Sequence, residues 1–206
     1  MMTHIHKETT TAQALNTFKA PAATRFCQPS TFRLVHPDSP AICVMTDLKQ
    51  VSVATIGPEA TLQQATQTMI SRGVRLLLVI DADEVVLGLI TARDTQGEKP
   101  IKLIQQRGGK FNDLLVSDLM CPRERIDLLE AGDVLRAKVS DIIETLKRST
   151  RQHAIVGERD LATGQVRICG IFSATQIGRQ LGAAIQTFDI SSTFTEIEGY
   201  LAQDNA

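Results

Sequence analysis

The heptapeptide GLITARD, Gly88 to Asp94, returns further along the chain as GIFSATQ, Gly170 to Gln176. Glycine, an apolar pair, a hydroxyl residue and an alanine keep their places, and the closing acid becomes Gln176. The segments around the two copies also correspond in order. Such self-similarity means one supersecondary unit built twice and packed on its copy, and it constrains the fold more than any local propensity does.

The first unit reads as strand, helix, strand, strand, helix. QVSVATI (50–56) alternates like a strand, and GPEA then breaks it. TLQQATQTMISRG places Leu62, Ala65, Met69 and Ile70 on one helical face, and Gly73 ends the helix. RLLLVI (75–80) is a continuous apolar run, as expected of a strand covered on both faces. Asp81 to Glu84 form a turn, and VVLGLI (85–90) returns as the hairpin partner. Thr91 then caps a helix, its hydroxyl able to accept from N–H groups left free in the first turn. The second unit repeats the order. RIDLL (125–129) is a strand, AKVSDIIETLKRS (137–149) carries Val139, Ile142, Ile143 and Leu146 at helical spacing, HAIVGE is the next strand, and QVRICGIF returns after the turn RDLATG. Ser173 caps a helix with Ile177, Leu181 and Ile185 on one face, and the second hairpin is about five residues longer than the first. Each unit has a lead-in, VMTDL (44–48) and VSDLM (116–120), and QQRGGK (105–110) reads as a hinge between them.

The expected organisation is an N-terminal arm over 1–40, partly disordered, in which TFRLV (31–35) docks as a short strand. A first repeat over 41–107 follows, then a second over 108–186 and an amphipathic C-terminal helix over 187–206. In that helix Thr193 and Glu196 have capping-box spacing, and Phe194, Ile197 and Leu201 form an apolar stripe. The helix faces around Met69 and around Ile177 with Leu181 exceed what one small pair can bury, and the C-terminal stripe is expected to cross to a second copy, so a homodimer is expected.

Composition excludes several classes. The net charge of −1 gives no reason to expect nucleic acid or an anionic membrane as partner. No apolar run approaches the ~20 residues that span a bilayer, and the N-terminus has no secretory h-region. Cys27, Cys43, Cys121 and Cys169 are scattered, and His4, His6, His36 and His153 form no metal-binding cluster. Reduced cysteines suit a cytoplasmic protein. No Ser/His/Asp, Cys/His or paired-carboxylate grouping falls at one expected site, so an enzyme is not expected.

The quoted segments VMTDL, RGVRLLLVID and GLITARD, then VSDLM, RQHAIV and GIFSATQI, resemble tandem CBS domains, the paired unit called a Bateman module. The resemblance covers about 44–186, with no other domain attached, and so suggests a stand-alone CBS pair. It implies an α/β (α+β) fold of two pseudo-symmetric β-α-β-β-α repeats packed through their sheets. It further implies a regulatory or sensor role without catalysis or a catalytic cofactor, acting on a regulated protein that the sequence does not name. The implied ligand is an adenosine compound (AMP, ADP, ATP or S-adenosylmethionine) held in a cleft between the repeats. Leu78 and Ile155 stand where many members carry a proline.

The residue chemistry can be stated independently. A carboxylate one turn into a helix offers two acceptor oxygens to ribose hydroxyls, and a threonine beside free N–H groups can meet a phosphate. A glycine before them allows close approach of a ligand. Thr91 and Asp94 are therefore the expected phosphate and ribose contacts, with adenine against Val53, Thr55, Val74 and Leu76, and with Arg93, Arg75 and Arg151 as candidate phosphate partners. Ser173, Gln176, His153 and Arg151 form a weaker second site, since Gln176 is neutral. The competing reading is that Thr91 and Asp94 only cap a helix, worth ~0.5–2 kcal/mol without any ligand. In that case the pair is a structural module for homodimerisation or partner contact.

Overall fold

In the computed structural model, residues 35–183 and 190–204 are described, together with 17, 19, 20, 24 and 25. The expected docking strand at 31–35, all but its last residue, lies outside these, as do Ile185, Cys27, His4 and His6. The chain divides into two units, residues 1–33 and 34–206, and everything below concerns the second.

A 3-10 turn (Ala41–Val44) leads into β1 (Thr46–Asp47) and β2 (Thr55–Ile56). Helix α1 (Leu62–Arg72), strands β3 (Leu76–Ile80) and β4 (Val86–Thr91), and helices α2 (Ala92–Gln96) and α3 (Glu98–Arg107) complete the first half. The second half holds α4 (Val116–Leu119), β5 (Cys121–Pro122), β6 (Leu128–Glu130), α5 (Ala131–Val134) and α6 (Val139–Arg148). It continues with β7 (His153–Arg159), β8 (Val166–Ser173), α7 (Ala174–Leu181) and the terminal helix α8 (Ile190–Asp204). The duplicated strand–helix–strand–strand–helix order is thus present, and the second hairpin is the longer one. The strand expected over 50–56 is reduced to two residues. Asp47 accepts from the Lys49 N–H and the Gln50 side chain, and its carbonyl accepts from the N–H of Gln50 and Val51, so the chain turns before it can extend.

Two four-stranded sheets form, in the orders β2-β3-β4-β5 and β1-β8-β7-β6. Each lead-in crosses over: β1 pairs antiparallel with β8 of the second half, and β5 pairs antiparallel with β4 of the first. This explains the repeated glycines. A Cβ on Gly88 would lie 2.4 Å from the Cys121 carbonyl oxygen, and one on Gly170 would lie 2.3 Å from the Met45 sulfur. The glycines admit the crossing lead-ins, where the sequence suggested room for a ligand.

Each sheet carries its helices on one face. Leu62, Ala65 and Met69 of α1 pack with Leu77, Val79 and Ile90, while Val139, Ile142 and Leu146 of α6 pack with Val156, Phe172, Ile177 and Leu181. Between the sheets, Leu76, Leu78 and Ile155 form a third cluster, so β3 is indeed covered on both faces. Two expectations fail here. Ile70 is 66% exposed and does not share the buried face of α1. Met69, Ile177, Leu181, Phe194 and Ile197 are all buried within one chain, with α8 packed into the second-half core. They cannot be the surface that joins two copies. No helix among the described residues is long and apolar enough to cross a membrane.

Candidate ligand-binding cavity

Strand β4 ends at Thr91, and α2 starts immediately after it, which places Asp94 in the first helical turn. Asp94 is 7% exposed. Its Oδ2 accepts both the Thr91 N–H (2.9 Å) and the Thr91 hydroxyl (2.6 Å), and its Oδ1 accepts from the Lys99 ammonium. The Thr91 hydroxyl therefore donates to the carboxylate, where the sequence had it accepting from the backbone.

Lys99 reaches Asp94 because the helix breaks between them. At Gly97 the backbone becomes extended, and its N–H returns to the Arg93 carbonyl (2.9 Å). A Cβ at position 97 would lie 2.5 Å from that carbonyl oxygen, so the turn requires glycine. Helix α3 then starts afresh at Glu98. In an unbroken helix the residue five positions on would not share a face with Asp94.

Thr91 and Asp94 line a cavity of about 550 Å³. Its apolar lining is Leu76, Leu89 and Ile155, and the second half contributes Cys121, Asp127 and the segment Thr150–His153. Four cations, Arg93, Lys99, Lys102 and Arg151, line it against three carboxylates, Asp94, Glu98 and Asp127. Lys102 is tied to Glu98 at 2.6 Å, and Arg151 lies 3.3 Å from Asp127 while donating to the Arg125 carbonyl. Burial, reinforced by the nearby Arg75 charge and opposed by Asp94, pushes the His153 imidazole down to about 4. At neutral pH the ring is uncharged, with one nitrogen donating and the other accepting. Among the described residues no group of three or more His, Cys, Asp or Glu is placed to hold a metal ion.

Of the residues singled out in the sequence, the cavity brings together Thr91, Arg93, Asp94 and Leu76 with Arg151, a candidate at both sites, and with His153, which the sequence assigned to the second site alone. Val53 and Thr55 line a different cavity of about 1040 Å³, by the two hairpins. Val74 and Arg75 line a third, of about 450 Å³, beside α1 and α2. The remaining second-repeat residues are engaged within the chain. Gln176 accepts from the Thr46 hydroxyl at 3.4 Å, and Ser173 sits opposite His153 in the β7–β8 register. Arg75 crosses from the first half to donate to Thr175 at 3.2 Å, and burial, with the Arg179 charge, holds its guanidinium below the usual range. Lys99, Lys102, Glu98, Asp127, Gln152 and Cys121 also line the main cavity and were not singled out beforehand. For Lys99 the one available signal was Gly97, a helix breaker between it and Asp94.

Comparison with known proteins agrees with this architecture. The family model described as CBS domain matches residues 43–95. Over 109 residues the chain is 26% identical to an inosine-5'-monophosphate dehydrogenase of Methanocaldococcus jannaschii, covering 53% of this chain and 21% of that enzyme. Over 138 residues it is 25% identical to the enzyme of the same name from Thermoplasma acidophilum, covering 67% and 27%. The chain thus matches about a quarter of the length of these dehydrogenases. Among solved structures, an uncharacterized conserved protein from Pyrococcus horikoshii superposes with a TM-score of 0.51 at 18% identity, covering 74% of this chain and 99% of that one. That likeness is one of fold. Residues 43–95 thus match the CBS-domain model directly, and the same element order returns in the second half across two interlocked sheets.

Proposed function

We propose that this protein is a non-catalytic sensor that binds an adenosine-containing ligand (AMP, ADP, ATP or S-adenosylmethionine) in the cavity between Thr91–Asp94 and Arg151–His153, and that it transmits occupancy to a partner protein. The observation that carries the reading is the division of chemistry within one cavity. Apolar side chains at Leu76, Leu89 and Ile155 suit a flat base, a carboxylate at Asp94 suits ribose hydroxyls, and Arg93, Lys99 and Lys102 suit phosphate or another charged tail. A neutral His153 adds one donor and one acceptor near the base-sized lining. A volume of about 550 Å³ lies within the usual range for small-molecule sites. The unpaired Cys43, Cys121 and Cys169 suit a reducing compartment such as the cytoplasm.

A thermal-shift panel of AMP, ADP, ATP, S-adenosylmethionine and NAD tests the proposal. A ligand at 100 times its dissociation constant adds ~2.7 kcal/mol if it binds only the folded state, which for a chain of this size raises the melting temperature by roughly 5–10 °C. The second reading, a ligand-free structural module, is favoured by one observation: the Asp94 carboxylate already finds its donors within the chain. No shift with any member of the panel would establish that reading instead.

A further inference from the structure

Lys99 sits on the carboxylate that the proposed ribose contact needs. Asp94 Oδ2 already takes two donors from Thr91, so its acceptor capacity is spent, and only Oδ1, which holds the Lys99 ammonium, can take another. The lysine side chain is 60% exposed and reaches over the cavity from the far side of the Gly97 break, whereas the aspartate is nearly buried. Its neighbour Lys102 is held on Glu98 and does not compete for Asp94.

Building on the nucleoside reading above, we propose that Lys99 is a specificity-determining residue that makes the cavity select phosphorylated over unphosphorylated nucleosides. A bare nucleoside must share or displace the ammonium at Oδ1 and offers no anion in return. Its hydroxyls then replace an ion pair with hydrogen bonds in which only the carboxylate is charged, and the ammonium is left at the cavity wall without its counter-ion. A nucleotide brings that counter-ion. The ammonium exchanges Asp94 for a phosphate oxygen and so keeps an anionic partner, while Oδ1 is released to accept from the ribose hydroxyls. The same ion pair that closes the empty site thus becomes the phosphate contact of the filled one.

Calorimetric titration of adenosine and AMP into the full chain, carried out on the unaltered protein, Lys99→Gln and Lys99→Arg, separates the outcomes. For Lys99→Gln, AMP should weaken by roughly tenfold or more, the usual effect of losing a charge-assisted bond. Adenosine should hold or tighten, because its competitor at Oδ1 is gone, so the preference for AMP collapses. Lys99→Arg keeps the charge and should keep most of the preference. Since Lys99 is exposed, each variant is expected to melt within about 1–2 °C of the unaltered protein. An AMP-to-adenosine preference unchanged in Lys99→Gln would overturn the role of Lys99 and leave the nucleotide site standing. Absence of binding of either compound to the unaltered protein would overturn the role of Lys99 and the AMP reading, while the thermal-shift panel decides the adenosine site itself.

Discussion

At the scale of the residue, Asp94 serves both readings of the motif at once. Its bonds to Thr91 fasten the β4–α2 corner, and its remaining oxygen faces a cavity sized for a ligand. Asp94→Ala should weaken nucleotide binding by roughly tenfold to more than a hundredfold, corresponding to ~1.5–3 kcal/mol for charge-assisted bonds. Gln176→Ala, whose partner is Thr46 and not a cavity, should change affinity little. Calorimetry ranks the two, and a silent Asp94→Ala alongside intact binding would leave capping as its whole role. His153 makes a separate prediction. Its folded value of about 4 lies below the ordinary 6.5, so protons bind the unfolded chain first. Stability from this group is complete above pH 6.5 and falls as the pH drops toward 4, by up to about 3 kcal/mol. Chemical denaturation between pH 7 and 4 should show this slope, and His153→Gln should flatten it. The Thr–x–x–Asp spacing was legible in the sequence because it is local. The convergence of His153 on the same cavity was not, since it depends on how the second sheet faces the first.

At the scale of the element, periodicity located the helices well and their partners poorly. The buried positions of α1 and α6 follow the helical spacing read from Leu62, Ala65 and Met69 and from Val139, Ile142 and Leu146. Ile70 also fits an apolar stripe, yet it faces outward, because one extra residue of helix rotation carries it past the sheet. The stripe of α8 was visible too, but a stripe does not say what covers it; here Phe194 and Ile197 close the second-half core. Ile197 is fully buried, so Ile197→Ala should cost about 2–5 kcal/mol by loss of packing and an unfilled cavity. Thermal melting of the variant checks this. A loss below ~0.5 kcal/mol would mean that α8 contributes no such packing in solution. The strands at β1 and β5 are only two residues long, and no pattern of that length separates a strand from a turn. Their visible trace was the pair of glycines, Gly88 and Gly170, whose missing side chains make room for them.

At the scale of the molecule, the exchanged lead-ins make the two halves parts of one object. The first sheet is incomplete without β5, and the second is incomplete without β1. Damage to either crossing should therefore lower the stability of both sheets together. What the fold leaves uncovered then points to a different assembly surface from the one expected from sequence. Ile70 (66%) and Val74 (36%) stay exposed at the end of α1, Ile101 (58%) stays exposed on α3, and Ile70 and Val74 line the small cavity between α1 and α2. Apolar side chains left at helix surfaces in this number are what a self-complementary contact would cover. We propose a homodimer built on the exposed end of α1 at Ile70 and Val74, with the buried stripes of α7 and α8 taking no part. Light scattering should return twice the chain mass of 22.5 kDa at micromolar concentration. Ile70→Lys places a charge in the middle of the contact while leaving the core untouched, so it should give the monomer mass with an ordinary melting profile. A dimer that survives Ile70→Lys together with Val74→Lys would move the contact elsewhere, and a monomer for the unaltered chain would remove it.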